Sequence, residues 1–209
     1  MSKITRTIAT LLLLAFFALP AQAQESPLKI GLRGGFAQST VYGDDVAQSD
    51  YRPGFSGGLF ATYVVNDAFS IQPEVLYTVK GGKNIEFEGT TSDLRWRLDY
   101  IQVPVLLKLS APLNGVITPR LYVGPQVSFL VGAEQNGVDV DDSLKSVDFG
   151  GVAGGEIGLD VSSFTGGVLD EIALDARYGL GLVALDDTAG ELDVKNGTFT
   201  SSLSLRFGL

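Results

Sequence analysis

Eight stretches of this chain alternate apolar and polar residues with a period of two, and no later segment offers an uninterrupted apolar span of helix length. Period two puts successive side chains on opposite faces of an extended strand, whereas a helix repeats every 3.6 residues. The stretches are 28–37, 54–65, 68–79, 94–109, 119–132, 147–161, 169–184 and 198–208. In the fifth, Leu121, Val123, Val127, Phe129 and Val131 share one face, and Arg120, Tyr122, Gly124, Gln126 and Ser128 the other. In the eighth, Phe199, Leu203, Leu205 and Phe207 oppose Thr198, Thr200, Ser202, Ser204 and Arg206. The seventh sets Ile172, Leu174, Ala176, Tyr178, Leu180 and Leu182 against Asp175, Arg177, Gly179 and Gly181. The fourth departs: Ile101, Val103, Val105 and Leu107 are odd, while Trp96 and Leu98 are even. A bulge near Asp99 would restore its register, or its upper part lies beyond the membrane.

Most of these stretches exceed the mean globular strand of about 5–6 residues and suit a tilted membrane strand of about 9–11. The gaps alternate in character. The first, third, fifth and seventh are long and acidic, holding Asp44, Asp45 and Asp50; Glu86, Glu88 and Asp93; Glu134, Asp139, Asp141 and Asp142; and Asp186, Asp187, Glu191 and Asp193. The second, fourth and sixth are shorter. Long loops on one side and short turns on the other characterise a transmembrane barrel, with the long side outside the cell. Lipid cannot satisfy an open sheet edge, so strands that enter a membrane must close. The expected fold is all-β: an eight-stranded antiparallel up-and-down transmembrane β-barrel.

The N-terminus reads as an export signal. Lys3 and Arg6 precede a short apolar core at 8–19, Pro20 breaks it, and Ala21-Gln22-Ala23 is an A-x-A cleavage site. That core is shorter than the roughly 20 residues a spanning helix needs. The expected division is a signal peptide at 1–23 and an outer-membrane barrel domain at 24–209. Cleavage removes Lys3 and Arg6 and shifts the net charge from −9 to −11.

Composition excludes much chemistry. There is no Cys and no His, so disulfides, thiolate ligands and histidine-based triads are absent. An acidic chain lacks the cationic footprint that nucleic acid requires. The glycine series Gly150-Gly151, Gly154-Gly155 and Gly158 fits no nucleotide motif and precedes no helical pattern; it reads instead as room for bulky inward neighbours. The acidic gaps match no twelve-residue calcium loop and read as solvated surface, with Ca²⁺ bridging to lipopolysaccharide phosphates as the alternative. No catalytic, cofactor-binding or metal-binding residue is expected.

With apolar faces to lipid, the inward set includes Arg33, Glu74, Lys108, Arg120, Glu156, Asp175, Arg177 and Arg206. An eight-stranded barrel has an interior that side chains fill, so these charges are expected to form a structural ion-pair plug. A narrow anion-favouring pore is the alternative. Tyr63, Tyr77, Tyr100, Tyr122, Trp96, Phe69 and Phe207 are expected in interfacial aromatic girdles, with sugar stacking as the alternative.

Several segments resemble the PorT-type outer membrane protein β-barrel family of Bacteroidetes and related bacteria. They are Ile30-Gly-Leu-Arg-Gly-Gly-Phe36, Gly57-Gly58-Leu-Phe60, Ile71-Gln-Pro-Glu-Val-Leu-Tyr77, Tyr100-Ile-Gln-Val-Pro-Val-Leu-Leu-Lys108, Tyr122-Val-Gly-Pro125 and Leu203-Ser-Leu-Arg-Phe207. The Gln-Pro-Glu and Ile-Gln-Val-Pro segments are the most specific, and the resemblance spans nearly all of 28–209. It implies an eight-stranded barrel similar to the small OmpA and OmpX barrels, and an accessory part in protein secretion for one member type. The chain departs in ending Phe207-Gly208-Leu209 rather than on an aromatic residue.

The expected function is that of a non-enzymatic outer-membrane barrel with acidic surface loops, serving envelope structure, surface interaction or a secretion system. The expected partners are outer-membrane lipid or lipopolysaccharide and proteins at the outer loops, with no nucleic acid. The chain reads as a monomer, because a closed barrel has no edge to pair. A soluble lipocalin-like ligand barrel, with apolar faces inward, shows the same alternation and is the remaining alternative.

Overall fold

The structure, a computed structural model, describes residues 27–43, 46–87, 95–111, 115–140, 146–182 and 195–208, without the side chains of 46–48, 85–87 and 139. The strands are β1 (Leu28–Tyr42), β2 (Val46–Val64), β3 (Phe69–Phe87), β4 (Trp96–Ser110), β5 (Ile117–Gln135), β6 (Val138–Asp139), β7 (Val147–Asp160), β8 (Glu171–Gly181) and β9 (Lys195–Phe207). All pairings are antiparallel. The sheet order β4-β3-β2-β1-β9-β8-β7-β5 is closed by β4 against β5, which gives an eight-stranded barrel. The two-residue β6 only folds back on the outer end of β5.

The registers fix the barrel's shape. From Leu28, cross-strand partners run through Tyr63, Ile71, Leu107, Val123, Ala153, Tyr178 and Phe199 and return to β1 at Gln38. That is a shear of ten residues around eight strands, which with a rise of ~3.3 Å and a spacing of ~4.8 Å tilts the strands by about 40°.

Polar side chains point in and apolar ones out. Arg33, Gln72, Glu74, Lys108, Asp175 and Ser202 are buried, whereas Leu59, Val75, Leu121, Val123, Ile157 and Leu174 are exposed. Water does not favour such a surface and lipid does. The lipocalin-like alternative requires the opposite facing and is overturned. Among the described residues no helix is long and apolar enough to cross a membrane; the crossing elements are strands.

The outer ends of the strands differ from expectation. Residues 38–53 read as a long first loop, but β1 continues to Tyr42, β2 begins at Val46, and only residues 43–45 connect them. Likewise β3 runs to Phe87 and β5 to Gln135. Asp50, Glu86 and Glu134 therefore sit on strands, not in loops. A greasy outward face marks a strand only within lipid; above it the backbone continues its ladder with a polar face. Asp44, Asp45, Glu88, Asp93, Asp141, Asp142, Asp186, Asp187, Glu191 and Asp193 lie outside the described residues, as does the signal segment 1–23.

The irregularity expected near Asp99 is present, but in the partner strand. Asp99 pairs with Gly132 and Tyr100 with Leu130, so β5 carries the extra residue at Val131. β4 stays in phase, with Leu98, Tyr100 and Gln102 all buried, while β5 changes phase and turns Ala133 inward.

At the periplasmic end, β7 and β8 are joined through a single helical turn, Ser162–Thr165, closed by Gly166 in the left-handed region at φ 65. The Asp160 carboxylate accepts from the Ser162 amide at 2.9 Å and hydroxyl at 2.6 Å. These bonds hold its carboxyl below the usual range.

Candidate functional site in the barrel lumen

The inward-facing positions of seven strands bring the eight charged residues singled out by sequence into one cluster. Arg33 comes from β1, Glu74 from β3, Lys108 from β4, Arg120 from β5, Glu156 from β7, Asp175 and Arg177 from β8, and Arg206 from β9.

The cluster has two layers. In the deeper one, Glu74 lies between two guanidinium groups: Arg33 Nη1 is 2.7 Å from its Oε1 and Arg177 Nη1 2.7 Å from its Oε2. Asp175 bridges the same arginines, with Arg33 Nη2 at 2.9 Å and Arg177 Nε at 3.1 Å. In the periplasmic layer, Glu156 Oε1 meets Lys108 Nζ at 2.6 Å, Arg120 Nη1 at 3.0 Å and Arg206 Nη2 at 3.2 Å. Arg33 and Glu156, 4.0 Å apart, link the layers, as does Gln72. Gln72 Nε2 donates to Glu74 at 2.7 Å, and its Oε1 accepts from Lys108 at 3.1 Å and Thr62 at 2.8 Å.

Sequence reasoning missed Glu171. It is buried at the start of β8 and binds Arg120 through two bonds of 2.8 and 2.6 Å, and Arg206 Nη1 at 2.8 Å. Its signal was in the sequence: it shares parity with Asp175 and Arg177 along the same strand. With it, five cations face four carboxylates.

Two aromatic side chains expected in the girdle also belong to the lumen. Tyr122 donates to Asp175 and accepts from Arg177 Nε at 3.1 Å. Lys108 and Arg177 lie 5.4 and 5.2 Å from its ring centroid. Tyr100 is fully buried, with the Lys80 ammonium 4.9 Å from its ring. Trp96, expected in the girdle as well, packs instead against an inner apolar cluster of Val41, Leu98, Tyr100 and Ala133 that fills the outer lumen. Tyr122 and Tyr100 stand at inward parity on their strands, and a ring there has nowhere to point but the lumen. Phe69 and Tyr77 do face outward.

Glycine makes the room. A Cβ at Gly158 would lie 2.5 Å from Glu171 Cδ and 2.7 Å from Arg120 Nη1, and one at Gly154 would lie 2.6 Å from the Tyr122 hydroxyl. Gly154 and Gly158 of β7 are thus the floor on which the bulky inward groups of β5 and β8 rest. Among the described residues no group of His, Cys, Asp or Glu side chains is arranged to hold a metal ion.

A closed barrel of this size, polar within and apolar without, has known counterparts. The family model described as outer membrane protein beta-barrel domain matches residues 9–207. The chain belongs to that family. Among solved structures, Neisserial surface protein A is 16% identical, covering 88% of this chain and 99% of that chain with a TM-score of 0.50. Ail, the attachment invasion locus protein of Yersinia pestis, is 18% identical, covering 86% and 99% with a TM-score of 0.47. OprG of Pseudomonas aeruginosa is 11% identical, covering 91% and 100% with a TM-score of 0.49. At such identities the likeness is one of fold. No curated protein matches the sequence. Family membership places this barrel among outer-membrane proteins.

Proposed function

We propose that this outer-membrane barrel is a sealed, non-enzymatic envelope protein whose work is done at its outward and outer-end surfaces. The observation that carries the reading is the state of Glu74, 1% exposed and clamped between Arg33 and Arg177. Gln72, Leu106 and Lys108 beside it have no exposed surface. A lumen filled with paired side chains at this level gives ions no hydrated path, since an eight-stranded interior has width only for side chains. The ion pairs also engage every lumen carboxylate of the cluster, which leaves no free acid poised as a general base. Absence of His and Cys from the chain supports the same reading.

The finer assignments extend from sequence. The Ile71-Gln-Pro-Glu and Ile101-Gln-Val-Pro segments support a PorT-type identity, and with it surface contacts or an accessory part in secretion. The acidic residues of the outer connections support protein partners, or lipopolysaccharide phosphates bridged by Ca²⁺, and the 1–23 segment supports export with cleavage after Ala23.

Single-channel recording in planar bilayers tests the seal. The purified barrel is expected to insert without steady conductance. A stable anion-selective current from the unaltered protein would replace this reading with that of a narrow pore, for which the surplus of one cation in the cluster is the supporting observation.

A further inference from the structure

The periplasmic edge of the apolar belt can be located from the strands themselves. On β7 the outward side chains run from Phe149 to Leu159, both exposed. Ten residues separate them, which at a rise of ~3.3 Å and a tilt of about 40° span about 25 Å along the barrel axis, the height of the apolar band of an outer-membrane barrel. Leu159 pairs in register with Ile117 of β5, which is exposed as well, so the two mark the edge. Val116, one residue further, is exposed too, and its carbonyl accepts from the Asp160 amide at 2.8 Å.

Apolar surface continues past that edge. The connection from β7 to β8 holds Phe164 at 86% exposure and Val168 at 71%. Neither is needed to close the turn, because its polar groups do so. The Thr165 hydroxyl donates to the Leu169 carbonyl at 2.6 Å and accepts from the Leu169 amide at 3.2 Å. The Gly167 amide donates to the Ser162 carbonyl at 3.0 Å, and the Val161 amide to the Asp170 carbonyl at 2.9 Å. The tip, Ser162-Ser-Phe-Thr-Gly-Gly-Val168, carries no charged side chain. The β2–β3 turn at the same end is the contrast, with Asn66-Asp67 at its tip.

Depth decides what these two side chains meet. Ser162 follows Leu159 by three residues, about 8 Å along the axis at the same rise and tilt. The head-group layer beyond the hydrocarbon is about 5–8 Å deep on each side. The turn therefore stands in that layer, where apolar side chains beside hydrated polar groups are favoured. Exposed apolar residues continuous with a lipid-facing belt find their partner in the same lipid. We propose that the Ser162–Thr165 turn is an interfacial anchor, with Phe164 and Val168 seated among the glycerol and head groups of the periplasmic leaflet. This rests on the outer-membrane reading above.

A single tryptophan at the tip measures its depth. Trp96 is the chain's only one, and its buried Nε1 has no hydrogen-bond partner, so Trp96→Phe removes it without orphaning another group. In that background Phe164→Trp reports on the turn. Val123→Trp, midway between Ile117 and Phe129 on β5, reports on the belt. The full chain is folded into phosphatidylcholine vesicles whose chains carry bromine either close to the head groups or close to the methyl ends. The tip reporter is expected to lose more intensity to the shallow bromine than to the deep one, and to be screened from aqueous acrylamide relative to the urea-unfolded chain. The belt reporter is expected to lose more to the deep bromine. A tip reporter that neither bromine quenches and acrylamide reaches freely, beside a belt reporter quenched as expected, would overturn the anchor alone and leave Phe164 and Val168 as a surface for a periplasmic protein. Deep-bromine quenching of the tip equal to that of the belt would overturn the interfacial depth. If neither reporter is quenched by either lipid, the outer-membrane reading falls and the anchor with it. Heat-modifiable gel mobility establishes that each variant is folded before its fluorescence is read.

Discussion

Arg177 and Glu74, 103 positions apart in sequence, meet inside the barrel through two hydrogen bonds, Nη1 to Oε2 at 2.7 Å and Nη2 to Oε1 at 3.3 Å. Glu74 also takes Arg33, so one carboxylate is shared by two buried cations. Replacing it with Ala leaves Arg177 facing Asp175 alone, and Arg33 facing Asp175 and the more distant Glu156. The expected loss is about 3–5 kcal/mol, the range for breaking a buried ion pair from one side. Urea unfolding in detergent micelles, followed by gel mobility without boiling, measures it. A midpoint equal to that of the unaltered protein would show that the plug contributes nothing to stability.

Tyr122→Phe tests the aromatic side of the same cluster. The substitution keeps the ring between Lys108 and Arg177 and removes only the hydroxyl. Asp175 loses a donor and Arg177 Nε an acceptor. Arg177 Nε and Asp175 keep each other at 3.1 Å, so the cost is that of a hydrogen bond to a charged group, about 1.5–3 kcal/mol. A girdle tyrosine at a lipid interface would lose little on the same change, so the same unfolding experiment separates the lumen position from the girdle one.

How much was legible in sequence follows from what alternation records. Period two identifies strands and their two faces, and strands that cross lipid must close into a barrel; eight stretches map one to one onto the eight barrel strands. It also gives the inward parity of Arg33, Glu74 and Arg177. It cannot mark where a strand ends once its outward face leaves lipid, and so residues 38–42 and 46–53 read as loop. Parity alone would have placed Tyr122 and Glu171 inside. Residue type misled in the first case, because tyrosine suits a girdle, and Glu171 was passed over although its strand was recognised. The bulge at Val131 was foreshadowed by the mixed pattern near Asp99, but cross-strand register decides which partner carries the extra residue, and only the structure holds that.

Gly158→Ala probes the room beneath the Arg120–Glu171 pair. The added methyl would fall 2.5 Å from Glu171 Cδ, closer than any real contact, and the bidentate bond must shift. Overpacking of this kind costs about 1–3 kcal/mol. Gly151→Ala in the same strand is the control, because the nearest atom to its Cβ is the Gly124 carbonyl oxygen at 3.9 Å. Equal stability of the two variants would mean that the charged pair moves aside freely and is not held by β7.

Val123→Arg tests whether the apolar outward face is in lipid. Val123 is exposed on β5, with Leu107 and Ala153 beside it in register. In water, arginine at an exposed strand position would change stability little. In a bilayer the cost is about 2–4 kcal/mol near the midplane and about 0–1 near the interfaces. Val138→Arg supplies the comparison: Val138 is equally exposed but lies on β6 at the outer end, above the apolar belt. Folding into phospholipid vesicles should therefore be weakened strongly by Val123→Arg and hardly at all by Val138→Arg. Both should behave alike in a detergent micelle that deforms around the charge. A similar small cost for the two in vesicles would place the belt in water and remove the physical reason for its apolar surface.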